Sequence, residues 1–285
     1  MVRVARVLAV VLLLTAMAGA TVVWVGIPYL ERRWAFFPEL SASADRWQMP
    51  ADAVEVAFPT SDGVRLTGWY FDSKAPRNGI TVLLLHGNEG VLPDYVPEVQ
   101  ILQTLGFSVL LFNYRGFGRS EGTTLGEATL DLDGAAARRY LTAERGVEPQ
   151  SIALLGISLG AAVAADLAAK FPCRAVALVG GFASSKQQVV ELEAWRNKPW
   201  LPDFLLDFLS SPFDTIGIIG QANCPVLIVH GENDRLVPFE QARALYDAAS
   251  PPKRLVVIQD ATHGLPVSDG RRYLDELAQF FINRR

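Results

Sequence analysis

The chain has 285 residues, half of them hydrophobic and 20% charged, with a net charge of −4. That composition supports one large core and argues against a disordered chain. The mildly acidic balance, without a lysine/arginine cluster, sets nucleic acid aside as a partner. Two cysteines, Cys173 and Cys224, are too few for a disulfide scaffold, and their spacing fits no zinc site. No metal or organic cofactor is expected.

In chain order, the first feature is a run from Val7 to Leu30 without a single charge. A helix that crosses a bilayer needs about 20 apolar residues. Arg3 and Arg6 precede the run, Glu31, Arg32 and Arg33 close it, and Trp24 and Tyr29 sit near its far end, where aromatic rings favour the lipid–water interface. Residues 1–30 are therefore expected to be a single-pass membrane anchor. A signal peptide with a cleavage site near Ala16–Ala20 is the alternative, but the apolar run continues through Thr21–Ile27, which a cleaved peptide does not need. Arg3 and Arg6 favour a cytoplasmic N-terminus and an extracytoplasmic catalytic domain, while Arg32 and Arg33 pull the other way.

Residues 31–52 read as a connector, and 53–285 as the folded domain. Val54–Phe58 and Val64–Phe71, joined at Ser61-Asp62-Gly63, predict a β-hairpin. Unbroken apolar runs follow at Ile80–Leu85, Val109–Phe112, Ile152–Leu155, Ala175–Val179, Val226–Val229 and Leu255–Ile258. Such runs fit strands of a parallel sheet buried on both faces. Helix-compatible stretches alternate with them at Val96–Leu105, Leu125–Thr142, Leu159–Lys170, Gln241–Ala249 and Arg271–Arg284. The expected architecture is three-layered α/β, with a mostly parallel central sheet flanked by helices. The stretch of about 181–223 is oversized for a simple crossover. Its Trp195, Trp200, Phe204, Phe208 and Phe213 fit either a small lid or ordinary helix packing.

Gly156-Ile157-Ser158-Leu159-Gly160 joins one of the buried strands to a helix. The bare G-x-S-x-G pattern also arises as a packing turn, but this strand–turn–helix setting fits a nucleophile. A serine hydroxyl needs a base to take its proton. The three histidines are His86, His230 and His263. His263 lies in a loop after the last strand, from which an imidazole can lean over Ser158. His86 is read as shaping its loop. Asp234, just after Val226–Val229, is the expected acid, with Glu232 as runner-up and Asp260 as a further competitor. The oxyanion is expected to accept from the backbone N–H groups of Leu159 and Asn88.

These residues, with Asn113-Tyr114-Arg115-Gly116-Phe117-Gly118-Arg119-Ser120, Cys224–Asp234 and Ala35-Phe36-Phe37-Pro38, resemble α/β-hydrolases of the BEM46/ABHD13/ABHD17 type, often described as serine-aminopeptidase or hydrolase-4 domains. The resemblance covers about residues 30–285. It implies an α/β-hydrolase fold, a Ser158–His263–Asp234 triad and hydrolysis of esters, thioesters or lipids. Where that group often has Ala-Gly-Asn after His-Gly-Asn, this chain has Glu89-Gly90-Val91. The expected function is a serine hydrolase acting on a small-molecule or lipid-like acyl substrate. A peptidase or a non-catalytic binding protein are the competing readings, and a dehalogenase would carry Asp where Ser158 stands. Cys173 and Cys224 each precede a strand. They leave both a disulfide and two free buried thiols open, with free thiols favoured.

Overall fold

Eight strands form one sheet in the computed structural model, which describes residues 2–26, 47–124, 126–196, 213–263 and 267–284. They are β1 (Ala53–Pro59), β2 (Arg65–Phe71), β3 (Thr81–Leu85), β4 (Ser108–Phe112), β5 (Ile152–Ile157), β6 (Ala175–Val179), β7 (Val226–Gly231) and β8 (Lys253–Ile258). Their order across the sheet is β1-β2-β4-β3-β5-β6-β7-β8. The β1/β2 and β2/β4 pairs are antiparallel, and every pair from β4 to β8 is parallel.

The helices are α1 (Val2–Thr21), α2 (Val96–Thr104), α3 (Glu127–Arg139), α4 (Leu159–Lys170), α5 (Ser185–Arg196), α6 (Thr215–Ile218), α7 (Phe239–Ala248) and α8 (Val267–Asn283). Side chains along a strand alternate between faces, so each central strand feeds two cores. Leu83 and Leu85 pack with Leu130 of α3, the alanines of α4 and Leu245 of α7. Val82 and Leu84 pack on the other side with Val99 and Leu102 of α2 and Leu274 and Leu277 of α8. The unbroken apolar runs are thereby explained: β3, β4, β6 and β7 are buried at every position. β8 is only partly buried over most of its length, as its place at the sheet edge requires.

The expected hairpin closes at Thr60–Val64, with Gly63 at φ 86°, a value that favours glycine. The helix expected over 125–142 forms as α3 and then widens into a π-turn at Tyr140–Glu144; Leu125 lies outside the described residues. The last helix begins at Val267, four residues before its apolar periodicity at Arg271 announces it.

Cys173 and Cys224 are joined by a disulfide, which corrects the preference for free thiols. The cause is topological. β6 and β7 are adjacent and parallel, with Val176 opposite Val226, so the residues leading into both strands lie side by side, with Cα atoms 5.7 Å apart. A sequence without its strand order does not contain that neighbourhood.

Helix α1 continues as a π-turn over Val22–Gly26, and the segment Arg6–Gly26 has a mean hydropathy of 2.4 with none of it buried. It is the one helix among the described residues long and apolar enough to cross a membrane. Residues 27–46, including the end of the expected anchor, most of the connector and Ala35–Pro38, lie outside the described residues. So do 197–212, with Trp200, Phe204 and Phe208 of the expected lid, and the side chain of Trp195. Phe213 is buried against Phe182 in an edge-to-face pair, and its N–H donates to the Glu127 carboxylate at 3.0 Å.

Helices α3 and α4 meet over a charged cluster. Lys170 pairs with Asp166 at 2.7 Å and lies 3.5 Å from Asp131. Burial, reinforced by the nearby Asp166 charge and opposed by Lys170, pushes the Asp131 carboxyl up to about 7. A carboxyl raised in the folded state binds its proton more tightly there than in the unfolded chain. Stability is therefore lost as pH rises from about 4 through about 7. Asp131→Asn removes that loss and leaves the Lys170–Asp166 pair intact. It is expected to stabilise the protein by about 1–2 kcal/mol at pH 8 and by nothing near pH 4. Urea unfolding at the two pH values checks this; a gain of equal size at both refutes it.

Candidate active site

β5 ends at Ile157 and α4 begins at Leu159, so the whole strand-to-helix reversal falls on Ser158. Its backbone sits at φ 53° and ψ −113°, a conformation rare for a residue with a side chain. The turn is held by the Ser158 N–H, which donates to the Val179 carbonyl at 2.8 Å, and by the Ala161 N–H, which donates to the Ser158 carbonyl at 2.9 Å. The glycines at either side are required by space. A Cβ at position 156 would lie 2.3 Å from the Gly160 carbonyl oxygen, and one at position 160 only 2.0 Å from the Leu85 carbonyl oxygen. The outcome is a partly exposed Ser158 hydroxyl over the C-terminal edge of the sheet.

His263 reaches this hydroxyl from the loop after β8. Its Nε2 stands 3.0 Å from Ser158 Oγ, and its Nδ1 2.7 Å from Asp234 Oδ2. The carboxylate accepts, so Nδ1 carries the imidazole proton and Nε2 receives the serine O–H. Asp234 is buried after β7, and its other oxygen accepts from the N–H groups of Leu236 at 2.9 Å and Val237 at 2.8 Å. Gly231 lets the two loops touch: a Cβ there would fall 2.5 Å from the Ala261 carbonyl oxygen. Glu232 and Asp260, the competing carboxylates, are exposed. Sequence alone does not place the Leu236 and Val237 donors, although an Asp three residues ahead of such an N–H, before Pro238, is a turn signal. Leu236 is held at both ends of its backbone, since its carbonyl accepts from Gln188 Nε2 of α5 at 2.7 Å.

His230 is fully buried, and burial lowers its pKa, so it is neutral. Its Nε2–H donates to the Val237 carbonyl at 2.7 Å and stands 3.4 Å from Asp234 Oδ2. Burial holds His86 down to about 4. Its Nδ1–H donates to the Gly87 carbonyl at 2.7 Å, while Nε2 accepts from the Tyr114 N–H at 3.4 Å. Neither ring is the base that faces Ser158.

Of the two N–H groups expected to face an oxyanion, Leu159 is the first residue of α4, directly after Ser158. Asn88 follows Gly87, whose Cα lies so near the serine turn that a Cβ there would sit 3.5 Å from Ser158 Cβ. Glu89 is exposed. Behind the loop, Arg115 is buried between two carboxylates. Its guanidinium holds Asp62 through two bonds at 2.7 and 3.0 Å and Asp133 at 2.8 Å. This fixes the turn after β4 that carries Tyr114 and Phe117 against His86. Among the described residues, no cluster of three or more His, Cys, Asp or Glu is placed to hold a metal ion.

A mostly parallel eight-stranded sheet, with serine on a strand-to-helix turn and histidine beyond the last strand, defines the α/β-hydrolase class. Residues 80–211 match the family model described as the alpha/beta hydrolase fold. The uncharacterised protein Rv2307c of Mycobacterium tuberculosis is 35% identical over 276 residues, covering 96% of this chain and 95% of its own length. Alpha/beta hydrolase domain-containing protein 17C of Mus musculus is 29% identical over 245 residues, covering 85% and 72%. Among solved structures, the Pyrococcus furiosus esterase Pf2001 superposes with a TM-score of 0.67 at 23% identity, covering 81% of this chain and 91% of its own. The chain belongs to the α/β-hydrolase family.

Proposed function

We propose that this chain is a serine hydrolase that cleaves carboxylic ester or thioester bonds by acyl transfer to water. The observation that carries the reading is the continuous hydrogen-bonded relay Ser158–His263–Asp234 at 3.0 and 2.7 Å. Ser158 Oγ attacks the acyl carbon as its proton passes to His263 Nε2. Asp234 stabilises the imidazolium through Nδ1–H. The oxyanion accepts from the N–H groups of Leu159 and Asn88. The intermediate collapses, and the departing alcohol or thiol takes the proton from Nε2. Water then attacks the acyl-serine with His263 again as base, releasing the carboxylic acid and restoring Ser158.

The esterase named among the structural neighbours fits acyl-ester chemistry. In this proposal the N-terminal helix anchors the enzyme in a membrane, which suits a lipophilic small-molecule substrate, and the catalytic domain lies outside the cytoplasm. Arg3 and Arg6 ahead of the helix favour that orientation. The Cys173–Cys224 disulfide fits an oxidising compartment.

A fluorophosphonate probe tests the chemistry. The expected result is one covalent adduct per chain, mapped by peptide mass spectrometry to Ser158. A wild-type protein that stays unmodified under prolonged exposure overturns the reading. Turnover of p-nitrophenyl esters well above aminoacyl-anilides is the expected substrate order, and the reverse order favours a peptidase.

A further inference from the structure

The loop between β3 and α2 runs through His86-Gly87-Asn88-Glu89-Gly90-Val91, and its shape is set by the residues that follow it. The Tyr95 hydroxyl accepts from the Gly87 N–H at 3.0 Å and donates to the Glu89 carbonyl at 2.9 Å. One step away, Asp94 Oδ2 accepts from the Val91 N–H at 2.9 Å, and the Asp94 N–H donates back to the Val91 carbonyl at 2.9 Å. Gly90, at φ 96°, bends the loop around this pair; a Cβ there would lie 3.1 Å from Tyr95 Cε2.

Asn88 lies between the two backbone groups that Tyr95 holds. The peptide unit joining Gly87 to Asn88 is also gripped from below, since its carbonyl accepts from His86 Nδ1–H at 2.7 Å. In a trans peptide the N–H points opposite to the carbonyl. Fixing the Gly87 carbonyl towards buried His86 therefore directs the Asn88 N–H the other way. The phenol remains a donor at any working pH, because burial pushes its pKa well up.

We infer that Tyr95 is a positioning residue for acyl transfer: its hydroxyl clamps the backbone on both sides of Asn88 and so sets the oxyanion donor of this chain. The inference rests on the serine-hydrolase reading. Such a donor must stand within a few tenths of an ångström of the developing oxyanion, and a displacement of about 1 Å costs on the order of 100-fold in rate. The interaction forms fully only in the transition state, so its loss falls on kcat and not on KM.

The test is Tyr95→Phe in the full-length protein, which keeps the ring and removes only the hydroxyl. Three results are expected. kcat on a p-nitrophenyl ester falls about 10- to 100-fold while KM stays within about twofold. The pH dependence of kcat is unmoved, since the His263–Asp234 pair is untouched. Amide hydrogen exchange over residues 87–91 accelerates at least about tenfold, while the peptides of β5 and α4 are unchanged. A kcat within about twofold of wild type overturns the inference, and so does unaltered exchange across the loop. If wild type itself hydrolyses no ester, the acyl-transfer reading falls, and the exchange measurement alone decides whether Tyr95 holds the loop.

Discussion

Asp234→Asn is expected to lower kcat about 10⁴-fold while the protein stays folded. Asparagine is nearly isosteric, and its amide oxygen can still accept from the N–H groups of Leu236 and Val237, which hold the loop at 2.9 and 2.8 Å. The change falls on the other side of the group. Where Oδ2 now accepts from His263 Nδ1 at 2.7 Å, an NH₂ would face the ring and demand an acceptor. The imidazole then moves its proton to Nε2, which points at Ser158 Oγ. A nitrogen that already carries hydrogen cannot take the serine proton, and the imidazolium loses its counter-charge in the same substitution. Steady-state kinetics with a p-nitrophenyl ester, alongside a urea unfolding curve close to that of wild type, measure this. Retention of more than about a tenth of wild-type kcat would remove Asp234 from the relay.

The second large effect is steric. Gly160→Ala puts a methyl group 2.0 Å from the Leu85 carbonyl oxygen and 2.7 Å from that of His86, both backbone atoms at the end of β3. Ordinary contact begins near 3.4 Å, so α4 must move out from the sheet by more than 1 Å. No rotamer change relieves this, because neither partner is a side chain. The shift separates the start of α4 from the loop at Gly87, which lines the other side of Ser158. The expected outcome is a loss of about 3 kcal/mol or more in unfolding free energy, with at least about a 100-fold slower fluorophosphonate reaction in whatever remains folded. Near-wild-type stability and labelling would show that the helix can yield at this point.

Much of the scaffold could be read along the chain because the sheet is buried on both faces. That burial demands continuous apolar runs, and these locate β3 to β7 within a residue or two. The hairpin was legible from its turn residues. Element ends were less so: Val267–Gly270 carries no apolar stripe, and the π-turn at Tyr140–Glu144 leaves no mark on periodicity. Within the site, Ser158 could be picked out because a one-residue reversal between strand and helix needs glycine at two close approaches. Tyr95 could not. It is one aromatic residue near a helix start, and only the folded loop brings its hydroxyl to two backbone groups.

The division has a physical basis. The sequence by itself determined what depends on neighbours along the chain: the N-terminal apolar helix, the alternation of buried strands with helices, and the glycine-flanked serine between them. Tertiary structure decided what depends on groups far apart in the chain. Strand order brought Cys173 beside Cys224, chose buried Asp234 over exposed Glu232, and carried His263 across 105 residues to Ser158. A hydrogen bond acts over about 3 Å and is indifferent to sequence separation, so its partners are fixed only when the sheet has set which loops meet.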